Sequence, residues 1–139
     1  YLNNDAYEAL KKMIDAMPDE IANDFYIKEA YTSFTDLQYS NPNLAGKDER
    51  QLGNTVSIAS KSIAYHEFET SALSQWLEAH SYEYGFILRY PKRMASSTNH
   101  VYDAHYYRYV GKKNANKIYK ENSCIEEYNQ KEAAEWKKL

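Results

Sequence analysis

The sequence predicts an α+β domain built on a small antiparallel sheet flanked by helices. Three observations carry that reading. Ala6, Leu10, Met13, Ile14 and Met17 recur at helical spacing near the start, and Ala115, Ile118, Tyr119, Ile125 and Tyr128 do so near the end. Between them lie short apolar runs of strand length at 25–30, 86–90 and 102–110, the last two closed by Pro91 and Gly111. Helices at both ends with short strands between them point to that class rather than to a parallel sheet of alternating strands and helices.

The elements follow in order. Asp5 and Glu8 have the spacing of a capping box at the first helix, and Pro18 marks its exit. Residues 25–30 suit a short strand, leading through Tyr31-Thr32-Ser33-Phe34 to a short helix over 36–39. Residues 40–55 carry Ser, Asn, Pro, Gly and charges and read as an exposed loop. Val56 and Ile58 alternate with Ser57, which starts a strand. A second helix is predicted over 68–82, with Ala72, Leu73, Trp76 and Leu77 inward and Gly85 ending it. Residues 86–90 form a strand, 92–99 a polar loop and 102–110 a further strand. The C-terminal helix breaks near Asn122-Ser123, and 132–139 read as a solvated helical tail. With no repeat, linker or low-complexity stretch, the 139 residues are expected to form a single domain, 1–139.

Composition narrows the function classes. Tyrosine accounts for 15 residues, which supplies packing area while keeping hydroxyls for hydrogen bonds. A Tyr-rich rim of the core is preferred over an aromatic cleft. The net charge of −3 and the lack of a concentrated basic tract argue against nucleic-acid binding. No apolar run approaches the roughly 18–20 residues of a bilayer span. A start at Tyr1 rather than Met leads us to expect a fragment or processed form, with any signal segment outside it. The single cysteine, Cys124, excludes an internal disulfide and a multi-cysteine zinc site, and its neighbour Ile125 suggests plain burial.

Two runs carry more than composition does: Tyr84-Gly85-Phe86-Ile87-Leu88-Arg89-Tyr90-Pro91 and Tyr107-Arg108-Tyr109-Val110-Gly111. They resemble the signature of the VanY-like D-alanyl-D-alanine carboxypeptidases, zinc enzymes that trim peptidoglycan stem peptides. The resemblance extends over nearly the whole chain, from Ala9-Leu10-Lys11-Lys12-Met13 to Cys124-Ile125-Glu126-Glu127-Tyr128. It implies the VanY-like or hedgehog-type zinc peptidase fold and an extracytoplasmic place at the bacterial cell envelope. It also implies partners such as a peptidoglycan stem peptide or another envelope protein.

The same resemblance implies where the chemistry should sit. The family signature ends in Glu-Pro-Trp-His-Tyr-Arg-Tyr-Val-Gly, and this chain reads Asp103-Ala104-His105-Tyr106-Tyr107-Arg108-Tyr109-Val110-Gly111. Asp103 falls on the general base and Tyr106 on a zinc-binding His. In the motif Ser-x-His-x-x-Gly-x-Ala-x-Asp, Arg50 falls on the His ligand and Ser57 on the Asp ligand. Thr32 stands where the family carries a substrate-gripping Arg, and a hydroxyl cannot reproduce a bidentate guanidinium. Catalytic zinc needs three protein ligands drawn from His, carboxylate or thiolate. Arg, Ser and a neutral Tyr fail that test, so no metal and no confident catalytic residue are expected. The former substrate and zinc pocket is then Thr32, Arg50, Ser57, His105 and Tyr106, with Asp103 at the base position. His105 enters because a one-residue slip would bring it inward, at the cost of flipping the alternation that Tyr107 to Val110 anchors. His66 and His80 read as surface histidines.

Three functions compete on these grounds. The first is a degenerate, non-catalytic D-alanyl-D-alanine carboxypeptidase-like domain that binds peptidoglycan or a protein partner. The second is an active zinc D,D- or L,D-carboxypeptidase with an atypical site. The third, new metal-free chemistry, has only the loose His100, Asp103, His105 group behind it.

Overall fold

The computed structural model describes residues 2–30, 38–39 and 52–137. Helix α1 spans Asn4–Ala16 and buries Ala6, Leu10 and Met13, as the periodicity predicts. Its N-cap is Asn3 rather than Asp5: the Asn3 side chain accepts the Ala6 N–H at 2.9 Å, and Asp5 sits in the first turn, where a carboxylate favours the helix dipole. Helix α2, Asp19–Asp24, follows at once and runs directly into strand β1, Phe25–Glu29.

Among the described residues four strands make one antiparallel sheet: β1, β2 (Thr55–Ser60), β3 (Phe86–Tyr90) and β4 (Asp103–Tyr109), in the order β1-β2-β4-β3. The sheet and its flanking helices agree with the predicted class. All six residues of β2 are buried, so its expected alternation fails. The strand is central, and both of its faces are covered, which removes the polar side that an alternating pattern reports. Asp24 ties the start of β1 to the end of β2, accepting the Ser60 hydroxyl at 2.5 Å and the Ser62 N–H at 2.9 Å.

The helix expected over 68–82 is three pieces. A 3-10 segment, Tyr65–Thr70, precedes α3, Ala72–His80, and a second 3-10 segment, Ser81–Tyr84, follows. Ser71 makes the first break. Its hydroxyl donates to the Phe68 carbonyl at 2.6 Å and accepts the Ser74 N–H at 3.0 Å, which ends one segment and caps the next. Gly85, left-handed at φ 90°, then turns the chain into β3, as expected. The loop over 92–99 holds a short helix α4, Ala95–Thr98, closed by a left-handed Asn99. Helices α5, Lys112–Lys120, and α6, Ile125–Lys137, flank the break foreseen at Asn122-Ser123. The helix over 36–39 falls largely outside the described residues; Gln38 and Tyr39 are helical.

Among the described residues two apolar clusters follow from this arrangement. The larger joins α1 to the sheet and α3 through Leu10, Met13, Val56, Ile58, Leu77, Phe86 and Tyr107. The smaller packs α5 and α6 on Ile87 through Ala115, Ile118 and Ile125. Phe86 and Ile87 therefore serve different clusters, the period-two alternation of a strand covered on both sides. Cys124 is fully buried, as expected, and burial pushes its thiol upward, away from nucleophilic use.

Tyr107 is fully buried, and among the described residues its hydroxyl has no hydrogen-bond partner. Burial pushes its ionisation well above the ordinary range, so it remains a neutral, unmatched O–H in the core. Tyr107→Phe is expected to stabilise the domain by about 1 kcal/mol, because it removes the desolvation cost without removing a bond. A urea midpoint that falls in this variant would show that the hydroxyl is matched in solution.

Candidate functional site

The central strands bring Ser57 and Tyr106 together. In the β2–β4 ladder Ser57 pairs with Tyr106, Val56 with Tyr107 and Thr55 with Arg108. Ser57 keeps 6% of its surface exposed and Thr55 none. The Tyr106 hydroxyl donates to Thr55 Oγ1 at 3.3 Å. Two positions that the signature implied for zinc ligands are thus adjacent in space and carry hydroxyls.

Asp103 opens β4 and pairs with Tyr90 across a register shift in the β3–β4 ladder. Its Oδ1 accepts the His105 N–H at 2.9 Å, a local bond that turns the strand start. His105 does not join Ser57 and Tyr106. Its ring stacks on Tyr65 at 3.7 Å and on Phe68 at 4.4 Å. The Ile58 carbonyl faces Nδ1 at 2.7 Å and the Tyr65 carbonyl faces Nε2 at 2.8 Å. No register slip has occurred, because Tyr107 stays in the main core opposite Val56. Thr32 and Arg50 lie outside the described residues. His66 is exposed, and His80 is half-buried against Trp76 at 4.9 Å.

Aromatic and charged groups complete this end of the sheet. Tyr90 stacks on His100 at 3.9 Å and on Tyr106 at 5.6 Å, so three rings form a ladder leading away from Ser57. Arg89, 7% exposed, forms two parallel bonds of 2.8 Å to Glu126 at the start of α6. Partial burial works to raise the Glu126 ionisation, but the Arg89 hydrogen bonds and the charges of Arg89 and Arg108 bring it below the usual range. Sequence reasoning missed Tyr90 as a site residue and missed this ion pair. Their signals were present in Arg89-Tyr90-Pro91 and in Cys124-Ile125-Glu126, yet only the fold places those runs side by side.

The donors among the described residues do not fit catalytic zinc. A serine hydroxyl and a neutral phenol are poor ligands, and each His105 nitrogen faces a carbonyl oxygen. Among the described residues no three His, Cys, Asp or Glu side chains come close enough to hold a metal ion.

The family model of the VanY D-alanyl-D-alanine carboxypeptidases matches residues 26–112, which include Ser57, Tyr90, Asp103, His105 and Tyr106 but not Glu126. The chain belongs to the VanY family. A D-alanyl-D-alanine carboxypeptidase of Enterococcus faecalis (strain ATCC 700802 / V583) is 33% identical over 124 residues, covering 88% of this chain and 44% of that protein. The chain spans about half the length of the curated relatives it matches, 54% and 44% for two of them. The solved structure of the LD-carboxypeptidase LdcB, described as revealing the molecular basis of peptidoglycan recognition, superposes with a TM-score of 0.83 at 28% identity. The match covers 94% of this chain and 69% of LdcB. VanYB in complex with D-alanine-D-alanine superposes with a TM-score of 0.77 at 25% identity, covering 93% and 82%. The VanY-like fold inferred from the two signature runs is therefore the fold observed. Among the described residues no helix is long and apolar enough to cross a membrane.

Proposed function

We propose that this chain is a VanY-family domain that recognises peptidoglycan stem peptides without zinc-dependent hydrolysis. The observation that supports it most is the Ser57–Tyr106 pairing on the central strands, where the signature calls for an Asp and a His ligand. Zinc acidifies water and polarises the scissile carbonyl when it is bound. Asp103, at the base position, spends one oxygen on the His105 amide. A carboxylate so placed can orient a water or a peptide amide but cannot by itself supply a nucleophile at neutral pH. The hydroxyls of Ser57 and Tyr106 and the Tyr90–His100 rings offer hydrogen bonds and stacking to a bound peptide, with the fully buried Thr55 behind them holding the Tyr106 hydroxyl. This reading takes 1–139 as one peptidase-type domain acting outside the cytoplasm at the cell wall.

Family membership and the carboxylate of Asp103 support a second reading, an active zinc carboxypeptidase with an atypical ligand set. One experiment separates the two. Metal content of the purified protein is measured, followed by calorimetric titration with zinc and then with a stem peptide ending in D-Ala-D-Ala. The expected result is no stoichiometric zinc, saturable peptide binding and no release of D-alanine. Tight one-to-one zinc with D-alanine release would establish the second reading. Absence of peptide binding would sink the first.

A further inference from the structure

A pocket of about 250 Å³ opens beside β3, the edge strand, and shares no residue with the candidate site. Its apolar lining includes Ile87 and Ile118, each 4% exposed and packed in one cluster. Tyr102 and Tyr119 present rings to it, and Tyr119 is braced by a parallel stack on Tyr82 at 3.8 Å. Glu78 supplies a carboxylate at the rim. The volume is just under the roughly 300–1,000 Å³ of drug-sized ligand sites, so it suits a short chain.

The charges select the kind of chain. Lys92 also lines the pocket, but it is engaged by Glu69 at 3.0 Å and lies 4.9 Å over the Tyr102 ring. Among the described residues Glu78 forms no ion pair, and its hydrogen bond is from the Tyr102 hydroxyl at 3.2 Å. Burial and then the nearby Glu78 charge push the Tyr102 ionisation upward, so that phenol stays a donor. The rim therefore keeps one unmatched negative charge above an apolar lining with aromatic walls. A neutral alkyl ligand covers that lining and leaves Glu78 unmatched, while an alkyl carboxylate is repelled there. A cation on a hydrocarbon stem matches both the rim charge and the apolar lining.

We infer that this pocket binds a primary ammonium on an alkyl stem, the chemistry of a lysine-like side chain. The inference stands apart from the peptidoglycan reading, since neither its residues nor its ligand enter that argument.

The test is an NMR titration of the full chain with n-pentylamine, n-pentanol and pentanoate at neutral pH, followed through the Ile87 and Ile118 methyl signals. Pentylammonium is expected to shift both signals and to bind about fivefold tighter than pentanol, the effect of one exposed ion pair. Glu78→Gln is expected to abolish that advantage while leaving pentanol binding unchanged. Glu78 is exposed, so the variant is expected to fold normally, and its thermal midpoint verifies that. Equal binding of pentanol, or an advantage that survives Glu78→Gln, would overturn the inference. Two further ligands identify the source of the ammonium. A free amine predicts that Nα-acetyl-lysine methylamide binds as pentylammonium does, and a peptide source predicts that a lysine-centred tripeptide amide binds clearly tighter than both.

Discussion

Glu126→Ala is expected to destabilise the domain by about 2–3 kcal/mol and to lower its thermal midpoint by about 10 °C. Arg89 is held at 8% side-chain exposure, and two of its bonds go to Glu126 at the start of α6. Removing one partner of a buried pair leaves the other charge poorly compensated, which costs about 3–5 kcal/mol when burial is complete. Glu126 retains 28% exposure, so water enters and the lower figure applies. The double variant Arg89→Met, Glu126→Leu should recover much of the loss, because an apolar pair needs no compensation. A double variant as unstable as Glu126→Ala would show that the ion pair itself is not the cause.

This pair also sets a pH dependence. The Glu126 ionisation is depressed in the folded state, so its contribution is present above the ordinary carboxylate value, about 4.3. It is lost as pH falls through the depressed folded value. The gap between wild type and Glu126→Ala should therefore be full at pH 7 and shrink in acid. Denaturant midpoints measured from pH 7 down to pH 3 check this, and a gap that stays constant would contradict it.

Gly85→Ala is expected to cost about 2–4 kcal/mol. The position has φ +90°, and a side chain there loses roughly 1 kcal/mol or more of backbone preference. An added Cβ would also lie 2.7 Å from Tyr109 Cε1, 3.1 Å from the Gly111 carbonyl carbon and 3.2 Å from the Lys112 nitrogen. Two of those neighbours are backbone and cannot swing aside, so an overpacking cost of about 1–3 kcal/mol is added. Chemical denaturation measures the sum, and a loss below about 0.5 kcal/mol would mean that the turn readjusts freely. The glycine of the Tyr84-Gly85-Phe86 run is thus there for close approach between the β3 entry and the β4 exit.

Much of the molecule was legible in the chain. The apolar face of α1, the strands around Phe86 and Tyr107, the Gly85 turn and the break before Cys124 are local patterns, set by spacing and turn chemistry. The helix predicted over 68–82 was overrun because Ser71 and Thr70 bond the backbone behind them, which hydrophobic periodicity does not register. The alternation expected around Ser57 vanished because a central strand is covered on both faces. His105 could enter the pocket only by a one-residue slip of β4, which reverses every side chain, and the observed pairing of Val56 with Tyr107 shows no slip.

The sequence by itself determined the family, the class of fold and which residues stand at the positions that the family signature marks, because each is written in residue identity and local spacing. Only the tertiary structure decided which of those positions meet. Ser57 and Tyr106 come from strands some fifty residues apart, and Arg89 and Glu126 from segments 37 apart. Such pairings depend on strand order, register and helix docking, which are properties of the whole packed chain and are carried by no single stretch of it.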